Sequence, residues 1–198
     1  YLLKGQLNAA TGGSHEETVA AFRLSMAEQS GNLFANAKPI IALATALANG
    51  NSTEQTEATA LLAKLEPRAF QDVEIALALG LAYRENANLS ESERWLRNVL
   101  KKRPLDARAA FPLAQVLYAN QRTAQAIFLL RSLYKQHPNR EDFGLYLARL
   151  HAQQGQRRAA TRIYQKMTAR KDASVSVLEK AGLHFVEEGK IEALNEMG

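Results

Sequence analysis

The chain has 198 residues, 46% of them apolar and 23% charged, with a net charge of +5, a balance that suits a globular protein rather than a disordered one. It has no cysteine, which excludes disulfides, thiolate zinc sites and cysteine nucleophiles. Its longest apolar runs, "PIIALATALA" and "IALALGLA", are about half of what a membrane-spanning helix needs.

In chain order, "YLLKGQLNAATGG" predicts a first helix and "ETVAAFRLSMAEQSGN" (17–32) a second, with Phe22 as its large residue and Ser30 at its stop. "KPIIALATALANG" predicts a third helix. "NSTEQTEATALLAKLEP" then adds a fourth behind a longer polar turn, ending at Pro67. From Val73 the pattern becomes periodic. Segments starting at Val73, Ala107, Glu141 and Val175 carry a small residue at position eight (Gly80, Ala114, Ala148, Gly182). A loop is expected at position fifteen (Ala87, Gln121, Gly155, Gly189). A second apolar pattern follows, small at twenty (Ser92, Ala126, Ala160) and large at twenty-four (Leu96, Leu130, Tyr164). Pro104 and Pro138 stop the second helices of two segments, because proline lacks an N–H and disfavours helix in the residue before it. Asp106 or Asn139, just beyond, can cap the next helix. The chain has no starting Met and ends inside a helical pattern, so it reads as a piece of a longer protein.

This pattern resembles the tetratricopeptide repeat family, whose helix-turn-helix unit has a period of 34 and these small, large and proline positions. The resemblance implies an all-α fold, a right-handed superhelical solenoid of about 11–12 helices. First helices would line a concave groove and second helices would cover the convex back. The expected organisation is one array over 1–198. It has irregular units in 1–72, well-formed units at 73–106, 107–140 and 141–174, and a truncated unit at 175–198. The spacing from Pro67 to Pro104, 37 instead of 34, marks an insertion of about three residues. Pro112 falls at position six of its helix, which implies either a late helix start near Ala110 or a kink.

The family's ligand-facing positions in the first helix carry over to Leu77, Leu81 and Arg84, then Arg108, Phe111, Gln115 and Tyr118, then Leu145, Tyr146 and Arg149. Chaperone-binding members grip a peptide's terminal carboxylate with Lys and Asn at positions five and nine. Those positions here hold leucine, phenylalanine, glutamine and arginine, so that mode is rejected. The remaining apolar and arginine strip suits another protein or a peptide segment.

Charge is segregated: residues 94–171 hold 17 Lys/Arg against 3 Asp/Glu. Arg158, Arg162, Lys166 and Arg170 recur every four residues, and Arg94, Arg97, Lys101, Arg131 and Lys135 extend this basic convex face. An anionic polymer, a membrane surface or an acidic protein would suit it. Nucleic acid is disfavoured, since no aromatics are interleaved for base stacking. Repeat arrays of this kind occur in bacterial exopolysaccharide export and envelope assembly proteins, which leans localisation toward the cell envelope and leaves the compartment undetermined. The terminal helices offer a surface for a second copy.

No catalytic constellation is present. His15, His137, His151 and His184 lack metal-ligand spacing, and His151 occupies a core aromatic position. There is no phosphate-binding glycine loop and no nucleophile elbow. The expectation is a non-enzyme with no metal and no cofactor.

Overall fold

The computed structural model describes residues 1–28, 37–104 and 106–196, with side chains through residue 189. Ser30, expected to stop the second helix, lies outside the described residues. Among these residues the protein is all-α, with twelve helices and no strand. The chain divides into two compact units, 1–119 and 120–198.

The first unit holds α1 (Leu2–Thr11), α2 (His15–Ala27), α3 (Ala37–Leu47), α4 (Ser52–Ala63), α5 (Glu66–Ala69), α6 (Val73–Glu85), α7 (Leu89–Lys102) and α8 (Ala107–Ala119). Helices pack pairwise as hairpins, α1 on α2, α3 on α4 and α6 on α7. Asn51 caps α4 in a reciprocal box with Glu54, and Asp72 accepts from the N–H groups of Glu74 and Ile75 at the start of α6. Asp106 accepts from the N–H of Arg108, as expected of an α8 cap. The α6–α7 hairpin shows why position eight is small. A Cβ at Gly80 would lie 2.8 Å from the Leu96 side chain and 3.2 Å from the backbone nitrogen of residue 96. The buried Ser92 hydroxyl donates to the Gly80 carbonyl at 2.7 Å across the same contact.

The insertion signalled by the long Pro67 to Pro104 spacing is α5. Pro67 does not stop α4, which ends at Ala63, but sits in the first turn of α5, where its missing N–H costs nothing. Glu66 accepts from the Tyr83 hydroxyl and from Arg94, both at 2.7 Å, and Phe70 stacks on Trp95 at 5.0 Å. Burial and the Glu66 carboxylate push the Tyr83 hydroxyl above its ordinary pKa. The extra turn is therefore docked on α6 and α7.

Pro112 departs from the late-start expectation. Helix α8 begins at Ala107, with the N–H groups of Ala109 and Ala110 bonded to Asp106, and Pro112 lies inside it, buried. The ring removes the bond that residue 112 would give to the Arg108 carbonyl. Helix interior proline costs about 3 kcal/mol relative to alanine, while losing two buried methylenes costs about 1.6 kcal/mol. Pro112→Ala is thus expected to raise stability by about 1 kcal/mol in denaturant titration.

The second unit holds α9 (Thr123–Gln136), α10 (Glu141–Gln153), α11 (Arg157–Thr168) and α12 (Val175–Glu196). Helix α10 packs between α9 and α11, and α12 packs on α11 and α10. Ala148, Ala160, Tyr164 and Ala181 form one buried cluster, with Leu145 and Phe185 against it. Asn139 does not cap α10, whose N-cap is Arg140 with no side-chain bond; Glu141 and Asp142 in the first turn face the helix dipole instead. Helix α12 runs unbroken through Gly189, where the pattern placed a loop.

Elsewhere position fifteen does turn the chain. It adopts positive φ at Ala87 (55°), Gln121 (60°) and Gly155 (69°). Only glycine takes this conformation freely. Ala87→Gly is expected to stabilise the chain by up to about 1 kcal/mol, as relief of the left-handed strain exceeds the added backbone entropy. Thermal unfolding would register it as a higher midpoint.

Candidate functional site

In the first unit the inner helix positions are largely engaged by the protein itself. Leu77 is a correction: it is 6% exposed, because α3, α5 and α8 pack around α6 together with α7. Leu81, Phe111, Gln115 and Tyr118 are half-buried. Arg84 donates to Gln115 at 2.7 Å and to Glu85 at 2.6 Å, which ties α6 to α8. Arg108 binds Asp106 at 2.7 Å and Glu74 at 3.1 Å, joining the second positions of adjacent first helices.

Those arginines hold both carboxyls below the usual range, Asp106 chiefly through Arg108 and Glu74 through Arg108 and Arg103. A depressed carboxylate contributes stability above its unfolded pKa, and the contribution disappears as pH falls through the lowered folded value. Asp106→Asn keeps the cap but removes the charge. Between neutral pH and about pH 3 the wild type should therefore lose more stability than this variant, by less than about 1 kcal/mol in urea titrations at both pH values.

Two clefts in this unit were not expected from sequence. One of about 630 Å³ opens between α1 and α3, against Gln6, Ala9, Ala42, Ala46 and Asn49. Its signal in the sequence was Ala42 and Ala46, four residues apart on α3. Another, of about 360 Å³, lies against Ile41 of α3 and Ile75 and Ala78 of α6, with Arg68 of α5 on its wall. The Arg68 Nη1 is buried without a hydrogen-bond partner. Nothing in the period marked it, because α5 lies outside the repeat.

The second unit contains a cleft of about 480 Å³. The ligand-facing residues carried over to α10, Leu145, Tyr146 and Arg149, all line it, with Asp142, Ala152 and Gln153 of the same helix. Lys180, Leu183 and Glu187 of α12 face them, with Tyr164 and His184 also in the wall. The Arg149 guanidinium sits 4.5 Å from the Tyr146 ring centroid. Lys180 donates to Ser176 at 2.9 Å, and Asp142 is held by Arg140 at 2.7 Å. The wall is thus a leucine and tyrosine surface edged by Arg149 and Lys180, with Leu183 67% exposed.

The basic residues separate into two groups. Arg94 pairs with Glu66 and Glu91, and Arg97 with Glu93, so their charge is compensated; Lys101 is exposed. Arg170 is not part of the α11 row, because α11 ends at Thr168. It is half-buried, bound to Asp172 at 2.8 Å and to the Pro138 carbonyl at 2.9 Å, and it secures the turn. The ion pairs described in this unit are Arg140–Asp142, Arg157–Glu188 and Arg170–Asp172. Arg131, Lys135, Arg158 and Arg162 are exposed, with no carboxylate partner among the described residues. Lys166 lies 5.7 Å from the Tyr134 ring centroid, so the α11 row meets α9.

The histidines are structural in their surroundings. His151 is buried, with Nδ1 2.6 Å from Gln156 Oε1, and His184 Nε2 lies 2.8 Å from the Thr161 hydroxyl. Among the described residues no group of three or more His, Asp or Glu could hold a metal ion.

Residues 117–178 match the family model described as tetratricopeptide repeat. No curated protein matches the sequence. Among solved structures, one described as MamA 41-end from Desulfovibrio magneticus RS-1 aligns with a TM-score of 0.62 at 18% identity, covering 82% of this chain and 88% of that one. MamA RS-1 ArsTM double mutant aligns with a TM-score of 0.61 at 18% identity over 89% of each chain. MamA AMB-1 aligns with a TM-score of 0.58 at 21% identity, over 88% of this chain and 92% of that one. At these identities the likeness is one of fold.

Proposed function

We propose that this chain, whose helical hairpins are tetratricopeptide repeats, is a non-catalytic scaffold that binds a polypeptide partner in the cleft between α10 and α12. The observation that carries the reading is the convergence of Leu145, Tyr146 and Arg149 of α10 on one open cleft. Apolar side chains of the partner would seat on Leu145, Tyr146, Tyr164 and Leu183. Carboxylates flanking them would meet Arg149 and Lys180. Leu183→Asp tests this cleanly, because the side chain is exposed and its loss leaves the core intact. A photo-crosslinker at residue 183 should trap a polypeptide, and the Asp variant should weaken that partner's binding by about tenfold or more. Unchanged affinity would remove the cleft from the reading.

The unpaired cations of α9 and α11 support a second contact, with an anionic polymer, a membrane surface or an acidic partner. Placement in envelope assembly or exopolysaccharide export would follow from that contact, not from the cleft.

A further inference from the structure

Position twenty-two of the repeat holds arginine in two units, Arg94 and Arg162, but phenylalanine in the unit between them, Phe128. Phe128 is 76% exposed. It lies on α9 at three and seven residues before Arg131 and Lys135, so the three share one helix face. On α11, Arg158, Arg162 and Lys166 form a row at four-residue spacing. The two rows meet where Lys166 covers Tyr134, the residue between Arg131 and Lys135 along α9. A large aromatic ring therefore stands in water on the same helix face as Arg131 and Lys135, and neither these nor Arg158, Arg162 and Lys166 on α11 have a carboxylate partner among the described residues.

Neither element is explained by folding. An exposed phenyl ring gains nothing from burial, and like charges four residues apart on a helix repel one another unless a counter-charge covers them. A soluble polyanion would neutralise the cations but leave the ring in water. An anionic lipid surface satisfies both, since headgroups take the arginines and lysines while the ring enters the headgroup and acyl boundary. The rows are helix faces rather than a cleft, which suits a planar partner; the unit's described cleft is lined by α10 and α12 with Tyr164 of α11. No described helix is long and apolar enough to cross a membrane.

We infer that the α9 and α11 faces dock on an anionic membrane surface, with Phe128 as the inserted side chain. The inference rests on the basic-face reading and is independent of the cleft. The full chain is incubated with phosphatidylcholine vesicles, with and without phosphatidylglycerol, and with soluble polyglutamate. Binding to the anionic vesicles is expected, weakening steeply as salt is raised. Arg158→Glu with Arg162→Glu should reduce vesicle partition by about tenfold or more. Phe128→Ser, at an exposed position where folding is unaffected, should reduce it by roughly threefold to tenfold and leave polyglutamate binding unchanged. Vesicle binding that ignores the Phe128 substitution overturns the lipid assignment. Polyglutamate binding without vesicle binding also overturns it, while sparing the basic-face reading and pointing to an acidic polypeptide. Failure to bind either probe removes both.

Discussion

Leu96→Ala is expected to lower the unfolding free energy by about 4 kcal/mol, read from the denaturant midpoint by circular dichroism. Leu96 is 0% exposed and fills the space opposite Gly80, so its removal leaves a cavity that two rigid helices cannot close. The same contact supplies a control. Gly80→Ala alone should destabilise by about 1–2 kcal/mol, since the new Cβ meets Leu96 at 2.8 Å and the gain in helix propensity only partly offsets the clash. In the double variant the alanine methyl occupies part of the cavity, and the combined loss should fall short of the sum by about 1 kcal/mol. Strict additivity would mean that the small residue at position eight and the large residue at position twenty-four do not act as a pair.

Gly144→Val should be comparably damaging in the second unit, costing about 3 kcal/mol. A Cβ at Gly144 would lie 2.7 Å from Met167 Sδ on α11 and 2.8 Å from Tyr134 Cε2 on α9, so side chains of both neighbouring helices converge on one point of α10. Met167 is flexible and can retreat, whereas Tyr134 is buried on its own helix. Adding Met167→Ala should therefore recover only part of the loss. Full recovery would place the whole constraint on the methionine.

These contacts were largely legible beforehand, because burial of a repeating apolar face leaves a mark with a fixed period. The first helices begin at Val73, Ala107, Glu141 and Val175, and the Gly80–Leu96 contact joins the two positions whose sizes the pattern opposes. Helix α5 was not legible as a helix. It has four residues, too few to show any period, and it announced itself only as surplus spacing. Leu77 was assigned to a groove by its position within one unit, yet its exposure is decided by α3 and α8, which no single unit contains. The distant pairing of Arg94 and Arg170 escaped for a related reason. Glu66 and the Pro138 carbonyl reach them from segments 28 and 32 residues away, while a count along one helix face registers only the positive charges. Phe128, between units that hold Arg94 and Arg162 at the same position, drew meaning only from its exposure.

The packing of Phe70 over Trp95 equips the protein with an optical reporter. Trp95 is its only tryptophan, 1% exposed, with the Phe70 ring at 5.0 Å and the Arg94 guanidinium at 4.6 Å. Its emission should be blue-shifted in the native state and should redden when α5 lifts away from α7, before the surrounding helices melt. Fluorescence and far-ultraviolet dichroism recorded on one sample would then separate loosening of the inserted turn from loss of the helices themselves.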